Sequence, residues 1–179
     1  MNNTRKFIMA LALSAFAGAA SAVPITGSIG FDGAYERDGT SLLDATTITI
    51  SDAMVSGVTT GSFLDAGITA GDAATYSDFT IGSAPIANIW TVGIFTFDLS
   101  SMSIDFRNAS SLVLSGKGEF RTTDSSLDSA NGDWTFTANN TVANLTWSSS
   151  AAVPEPAVTL LLATGLIGFG FARRARKAA

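Results

Sequence analysis

Apolar residues recur at every second position along most of this chain, in runs too short and too often interrupted for amphipathic helices. In residues 25–35, Ile25, Ile29, Phe31 and Tyr35 share one parity, while Thr26, Ser28 and Asp32 take the other. A strand sends successive side chains to opposite faces, so this pattern describes a strand buried on one side. Ile48 and Ile50 alternate with threonines; Met102, Ile104 and Phe106 alternate with Ser103 and Asp105. Leu112, Leu114 and Phe120 share a parity across Gly116 and Gly118, opposite Lys117, Glu119 and Arg121. Trp134 pairs in the same way with Phe136, and Leu145 with Trp147. Residues 89–99 form the most apolar run and read as a central strand covered on both faces. Turn-forming stretches separate these runs: Asp38-Gly39, Gly71-Asp72, residues 82–85 and Asn131-Gly132. Residues 52–74, rich in Gly, Ala and Thr, fit a long loop or a short helix. The expectation is an all-β body over residues 23–152 with roughly eight to ten strands, built as a jelly-roll-like antiparallel two-sheet sandwich. Periodicity does not set the strand order.

Composition narrows the chemistry. The chain has neither Cys nor His. Disulfides, thiol catalysis, a Ser-His-Asp triad and histidine-ligated transition metals are therefore outside its means. Residues 23–153 hold Arg37, Arg107, Lys117 and Arg121 against fourteen acids, a formal charge of −10. Nucleic-acid binding needs clustered cations, so no such partner is expected. The acidity favours solubility.

The two ends differ from the body and read as addresses. Arg5 and Lys6, an apolar run from Phe7 to about Ala17, and Ala20-Ser21-Ala22 follow the order of a secretory signal peptide over residues 1–22. Ala20 and Ala22 precede the bond that signal peptidase would cut, which leaves Val23 as the first mature residue. At the other end, residues 157–172 are apolar and would span roughly 24 Å as a helix. That is slightly under a ~30 Å hydrocarbon core. Arg173, Arg174, Arg176 and Lys177 follow, in a tail over residues 173–179 that the positive-inside rule keeps cytoplasmic. A transmembrane helix so oriented leaves the body on the exported side, in agreement with the signal peptide. Pro156 suits the first position of that helix, where a missing N–H costs nothing. Pro154 holds Val153 extended, and Glu155 sits where a helix start favours negative charge.

Val153-Pro154-Glu155-Pro156, the apolar stretch and the basic cluster, in that order at the chain end, resemble the PEP-CTERM sorting signal over residues 153–179. The resemblance implies recognition of Pro-Glu-Pro by an exosortase, a membrane-embedded cysteine transpeptidase. It implies an inner-membrane anchor before processing, then a place at the cell surface or outside it. It also implies a host of the Gram-negative, exopolysaccharide-making kind, where a secreted surface or biofilm-matrix protein would meet exopolysaccharide.

Within the body the candidate sites are few. Asp124, Asp128, Asn131 and Asp133 place oxygen ligands at short spacing, the donor set Ca²⁺ takes. Their spacing departs from an EF-hand loop and no Glu closes the set, so a solvated loop with Asn131-Gly132 as its turn is the first expectation and Ca²⁺ the lesser one; no other cofactor is expected. Tyr35, Tyr76, Trp90, Trp134 and Trp147 offer rings for stacking on sugars, although Trp134 and Trp147 lie on core parities. Glu36 with Asp32 or Asp38, or Glu119 with a loop aspartate, would be the carboxylate pairs of a glycosidase. Acids this numerous form such pairs by chance, and the body is expected to be non-catalytic. The expected function is that of an exported surface or matrix protein, with carbohydrate binding as the alternative.

Overall fold

The computed structural model describes residues 22–140 and 144–151. Eleven strands account for most of them: β1 (Val23–Pro24), β2 (Gly27–Arg37), β3 (Thr47–Ser56), β4 (Thr75–Tyr76), β5 (Phe79–Thr80), β6 (Ile86–Val92), β7 (Phe95–Arg107), β8 (Ser111–Thr122), β9 (Leu127–Asp128), β10 (Ala130–Asn139) and β11 (Asn144–Ala151). A single turn of helix, α1 (Ser62–Asp65), interrupts the loop after β3. The signal segment through Ser21 and the apolar and basic tail lie outside the described residues. Among the described residues, no helix is long and apolar enough to cross a membrane.

Most of the alternation seen in the sequence becomes the inward face of one curled antiparallel sheet; the run Met102, Ile104 and Phe106 does not, because register shifts on β7 leave Ile104 and Phe106 exposed. Nine strands join the sheet in the order β4-β6-β7-β8-β10-β11-β2-β3-β5. The expected two-sheet, jelly-roll-like sandwich is thus corrected. From β6 to β11 each strand pairs with its neighbour along the chain, apart from the two-residue β9, which pairs with β1. Such a meander has none of the crossing connections a jelly roll requires. Parity tells which side chains are buried but is the same for two stacked sheets and for one sheet rolled on itself.

Two sets of bonds close the roll. β11 pairs along its whole length with β2, Ala151 opposite Gly27 and Asn144 opposite Ala34. On the other side residues 71–81 stitch β3 to β6. Val55 and Asp72 are joined by an N–H···O bond of 2.8 Å, and Ala74 donates to Ala53 at 2.9 Å. β4 then pairs with β6, and β5 turns back to β3. β4 and β5 belong to one stretch of chain, so the wall is that of an eight-staved up-and-down barrel. Its lower part is less complete, because residues 100–107 of β7 continue below the last β6 pair, Ile86 with Leu99.

The most apolar run is a second correction. Residues 89–99 are two strands rather than one, reversed at Gly93, whose φ of 53° suits the turn. Val92 pairs with Phe95 and Trp90 with Phe97. The run is apolar because two adjacent staves each contribute inward side chains there.

Aromatic rings fill the interior. Trp90 stacks on Phe97 with centroids 5.8 Å apart, and Phe120 lies 4.8 Å from Phe97. Phe63 descends from α1 to meet Phe95 at 4.7 Å and Phe120 at 5.5 Å, so α1 acts as a lid on this end of the barrel. A second group joins Phe79 edge-on to Phe136 at 5.2 Å and to Trp134 at 6.1 Å. The buried Trp134 indole N–H donates to Tyr76 Oη at 2.7 Å, which satisfies the one polar atom that ring brings inside. Burial pushes the Tyr76 hydroxyl pKa well above its ordinary value.

Rings of this size fit because the facing positions are empty. Gly116 and Gly118 take inward positions on β8, and Gly132 on β10. A Cβ on Gly118 would meet the Asp98 carbonyl and the Phe97 ring; one on Gly132 would meet Phe120. Opposite them β7 shifts register between Leu99 and Ser101. Glycines under aromatic rings and a bulge on the facing strand are the devices that let a sheet coil tightly.

The end opposite the lid is closed by residues 38–46. Leu42 and Ala45 are buried, and the Arg107 guanidinium donates to both their carbonyls, at 2.8 Å to Leu42. Two aspartates tie the loop. Asp38 accepts from the Thr46 hydroxyl and from the N–H groups of Thr46 and Thr47, at 2.8 and 3.0 Å. Asp44 does the same for Thr40 and Ser41. These bonds, the Thr46 hydroxyl first, hold the Asp38 pKa down to about 2; the hydroxyls of Ser41 and Thr40 lower that of Asp44 further.

Two outcomes are expected. Gly118→Ala should destabilise the barrel by about 1–3 kcal/mol, the usual cost of overpacking, read as a lower midpoint in urea unfolding. Asp38 has a folded-state pKa below its unfolded value of about 3.9, so its contribution is complete above about pH 4 and fades as pH falls through about 2. Thermal midpoints of the parent and of Asp38→Ala should therefore differ most above pH 4 and converge near pH 2.

Candidate functional site

The outer wall of β6, β7, β8 and β10 is indented. A shallow groove of about 660 Å³ runs between Pro85, Ile86 and Ala87 on one side and Glu119, Arg121 and Asn131 on the other, with Asp98 and Ser100 along its floor. It continues past Lys117 and Asp133 towards Ser103, Ser115 and Thr135. The strand register explains this grouping. Asp98 stands opposite Glu119, and Glu119 opposite Asn131, which makes one cross-strand row of residues distant in sequence.

Two carboxylates directly opposite each other repel. Arg121 resolves the conflict by reaching Asp98 at 2.9 Å and Glu119 at 3.2 Å. The remaining carboxylate oxygens are also engaged. Asp98 accepts the Asn88 N–H at 2.8 Å, and Glu119 accepts the Ser129 hydroxyl at 2.6 Å. Lys117 pairs with Asp133 at 2.7 Å, both side chains being mostly in solvent. An exposed pair of this kind contributes about 0–1 kcal/mol. With Arg107 in the lower plug and Arg37 donating to the Thr40 carbonyl at 3.1 Å, all four cations of the body have partners within the chain. The groove thus offers hydroxyls, amides and neutralised charge pairs. It can hydrogen-bond a polar ligand and presents no bare nucleophile.

The residues singled out in the sequence are dispersed. Asp124 accepts the N–H and hydroxyl of Ser126, at 2.8 and 2.7 Å, and these bonds lower its pKa. Asp128 lies in β9 against β1, Asn131 faces the groove and Asp133 is held by Lys117. The four do not converge. Among the described residues, no group of three or more acids is placed to hold a metal ion. Trp90 and Trp134 are completely buried, Tyr35 nearly so, and Tyr76 is half-buried against Trp134. These rings pack the core. The Trp147 side chain is outside the described residues, although its backbone pairs with Phe31 and Phe136. Of the carboxylate pairs, Asp38 serves the lower plug and Glu119 the Arg121 cluster.

The chain leaves the barrel at a defined place. Ala151, the last residue of β11, is buried and paired on both sides, with Gly132 and Gly27. The next residues are Ala152 and then Val153-Pro154-Glu155-Pro156, which, with Arg173, Arg174, Arg176 and Lys177, lie outside the described residues. Residues 152–177 carry the PEP-CTERM protein-sorting motif. No curated protein and no solved structure matches the chain. The PEP-CTERM motif implies exosortase-dependent sorting of an exported protein, with membrane anchoring before processing and a cell-surface destination after it. It begins one residue beyond the barrel wall, so the sorting signal and the folded body are contiguous.

Sequence reasoning found the tail, whose parts follow one another along the chain. It missed the groove, whose members Asp98, Ser100, Glu119, Arg121 and Asn131 meet only through strand register. The one local hint was the charged parity Lys117, Glu119 and Arg121 on β8.

Proposed function

We propose that this is an exported surface or extracellular-matrix protein, handed to its destination by an exosortase-like transpeptidase and acting there through a non-catalytic barrel. The observation that carries the proposal is the PEP-CTERM motif set directly after the closing strand β11. A signal peptide over residues 1–22 would deliver the chain to signal peptidase, and the apolar segment would hold the body at the membrane until processing. The interior supports a scaffold role, because aromatic side chains occupy the space where a ligand-carrying barrel keeps its cavity. The Asp98, Glu119 and Arg121 cluster likewise supports it, since each group is committed to a neighbour.

A second reading, binding of exopolysaccharide, is favoured by the groove. Its lining of Ser100, Asn131 and neutralised charge pairs matches the hydroxyl-rich edge of a glycan. Trp90 and Trp134, being buried, take no part in such binding, which the groove residues would carry through hydrogen bonds.

Replacing Pro154, Glu155 and Pro156 together by alanine should retain the chain in the membrane fraction and abolish surface display, as read by fractionation and surface labelling. Unchanged release would overturn the sorting assignment. Glycan-array binding lost in Asn131→Ala would favour the second reading over the first.

A further inference from the structure

Both ends of the described chain emerge at the lid end of the barrel. Ala151 ends β11 beside Gly27, and Val23 pairs with Leu127 nearby. Gly27, at φ 109°, is packed on the backbone of Thr60 and Gly61 just before α1, and Ser62 donates to the Thr26 carbonyl at 2.9 Å. This rim exposes large apolar side chains, Val23 at 61%, Val58 at 82% and Leu64 at 52%. Exposed acids surround them: Asp65, Asp72, Asp124 and Asp128. Arg121, the cation at this end, is already shared between Asp98 and Glu119.

The sequence limits how far this rim stands from a bilayer. The apolar segment starts at Ala157, six residues after Ala151. A fully extended chain covers at most ~3.3–3.6 Å per residue, so the tether is at most about 20 Å long. The headgroup layer occupies about 6 Å of that length. A tether this short keeps the rim at an effective concentration of the order of millimolar at the membrane surface. Apolar contacts too weak to recruit a free protein still form under that condition.

We propose that the lid rim, through Val58, Leu64 and Val23, rests on the lipid surface for as long as the tail is attached, and leaves it when the tail is cut. The proposal depends on the tail anchoring the chain in a membrane. The acids give it direction. They and the −10 charge of the body oppose an anionic surface, so nothing holds the rim once the tether is gone. The tail would then position the body as well as address it, and cleavage would end both functions.

The absence of cysteine from the chain permits a direct test. Leu64→Cys and Val58→Cys in the full-length uncut protein, each carrying an environment-sensitive fluorophore, are reconstituted in zwitterionic liposomes containing a headgroup-proximal spin-labelled lipid. Leu43→Cys, in the plug at the opposite end, is the control. Quenching at both rim positions is expected to exceed the control at least threefold. It should fall to the control level when twelve Gly/Ser residues are inserted after Ala151, and fall as anionic lipid is added. Equal quenching at the rim and at residue 43 overturns the proposal. So does rim shielding that appears only when the processing transpeptidase is co-reconstituted, since the occupant is then a protein. Failure of the chain to float with liposomes overturns the anchoring itself, and this proposal with it. Flotation without rim quenching overturns the proposal alone.

Discussion

A sheet with one apolar face must cover that face, and this chain covers it with the sheet itself. The bond that makes this possible is the pairing of β11 with β2, last strand to first major strand, completed on the far side by residues 71–81 bridging β3 and β6. Without it the inward faces of β2 and β3 would have no opposite wall, and Phe31 would have no Trp90 to pack on, 5.0 Å away. The lid and the lower plug also depend on closure, because each caps an end that exists only in a rolled sheet.

Curling this tight needs room inside, which the glycines of β8 and β10 supply. Large rings lie over Gly116, Gly118 and Gly132, so volume missing from one stave is filled from the next. The same bending shapes the outside. Where β7 changes register opposite Gly118, its outward residues and those of β8 and β10 form the groove around Asp98, Glu119 and Arg121. The inner packing and the outer polar surface are two faces of one distortion.

Most of the inward set was legible from alternation, but not the lower half of β7, where two register shifts break the parity and leave Ile104 and Phe106 exposed. Ile29, Phe31, Leu112, Leu114, Phe120, Trp134 and Phe136 are all buried where parity put them. What parity could not carry was connectivity. It left open whether the strands stack as two sheets or roll as one, and it merged β6 and β7 because a hairpin between two inward faces looks like a single apolar run. The sorting tail was legible because its recognition depends on contiguous residues. The groove was not, because Asp98 and Asn131 become neighbours only through two intervening registers.

The position of β11 also has a temporal meaning. Gly27 and Ala151 are pairing partners drawn from opposite ends of the body, so their pairing closes a long loop at an entropic cost that the hairpin pairs do not bear. Were the proposed signal peptide to lead the chain out amino end first, β2 would be delivered early and β11 last, immediately ahead of Pro-Glu-Pro. Until that moment the barrel would lack its closing stave. On that route, completion of the fold and arrival of the sorting signal at the membrane would be consecutive events on one polypeptide, since the motif starts at the residue after β11.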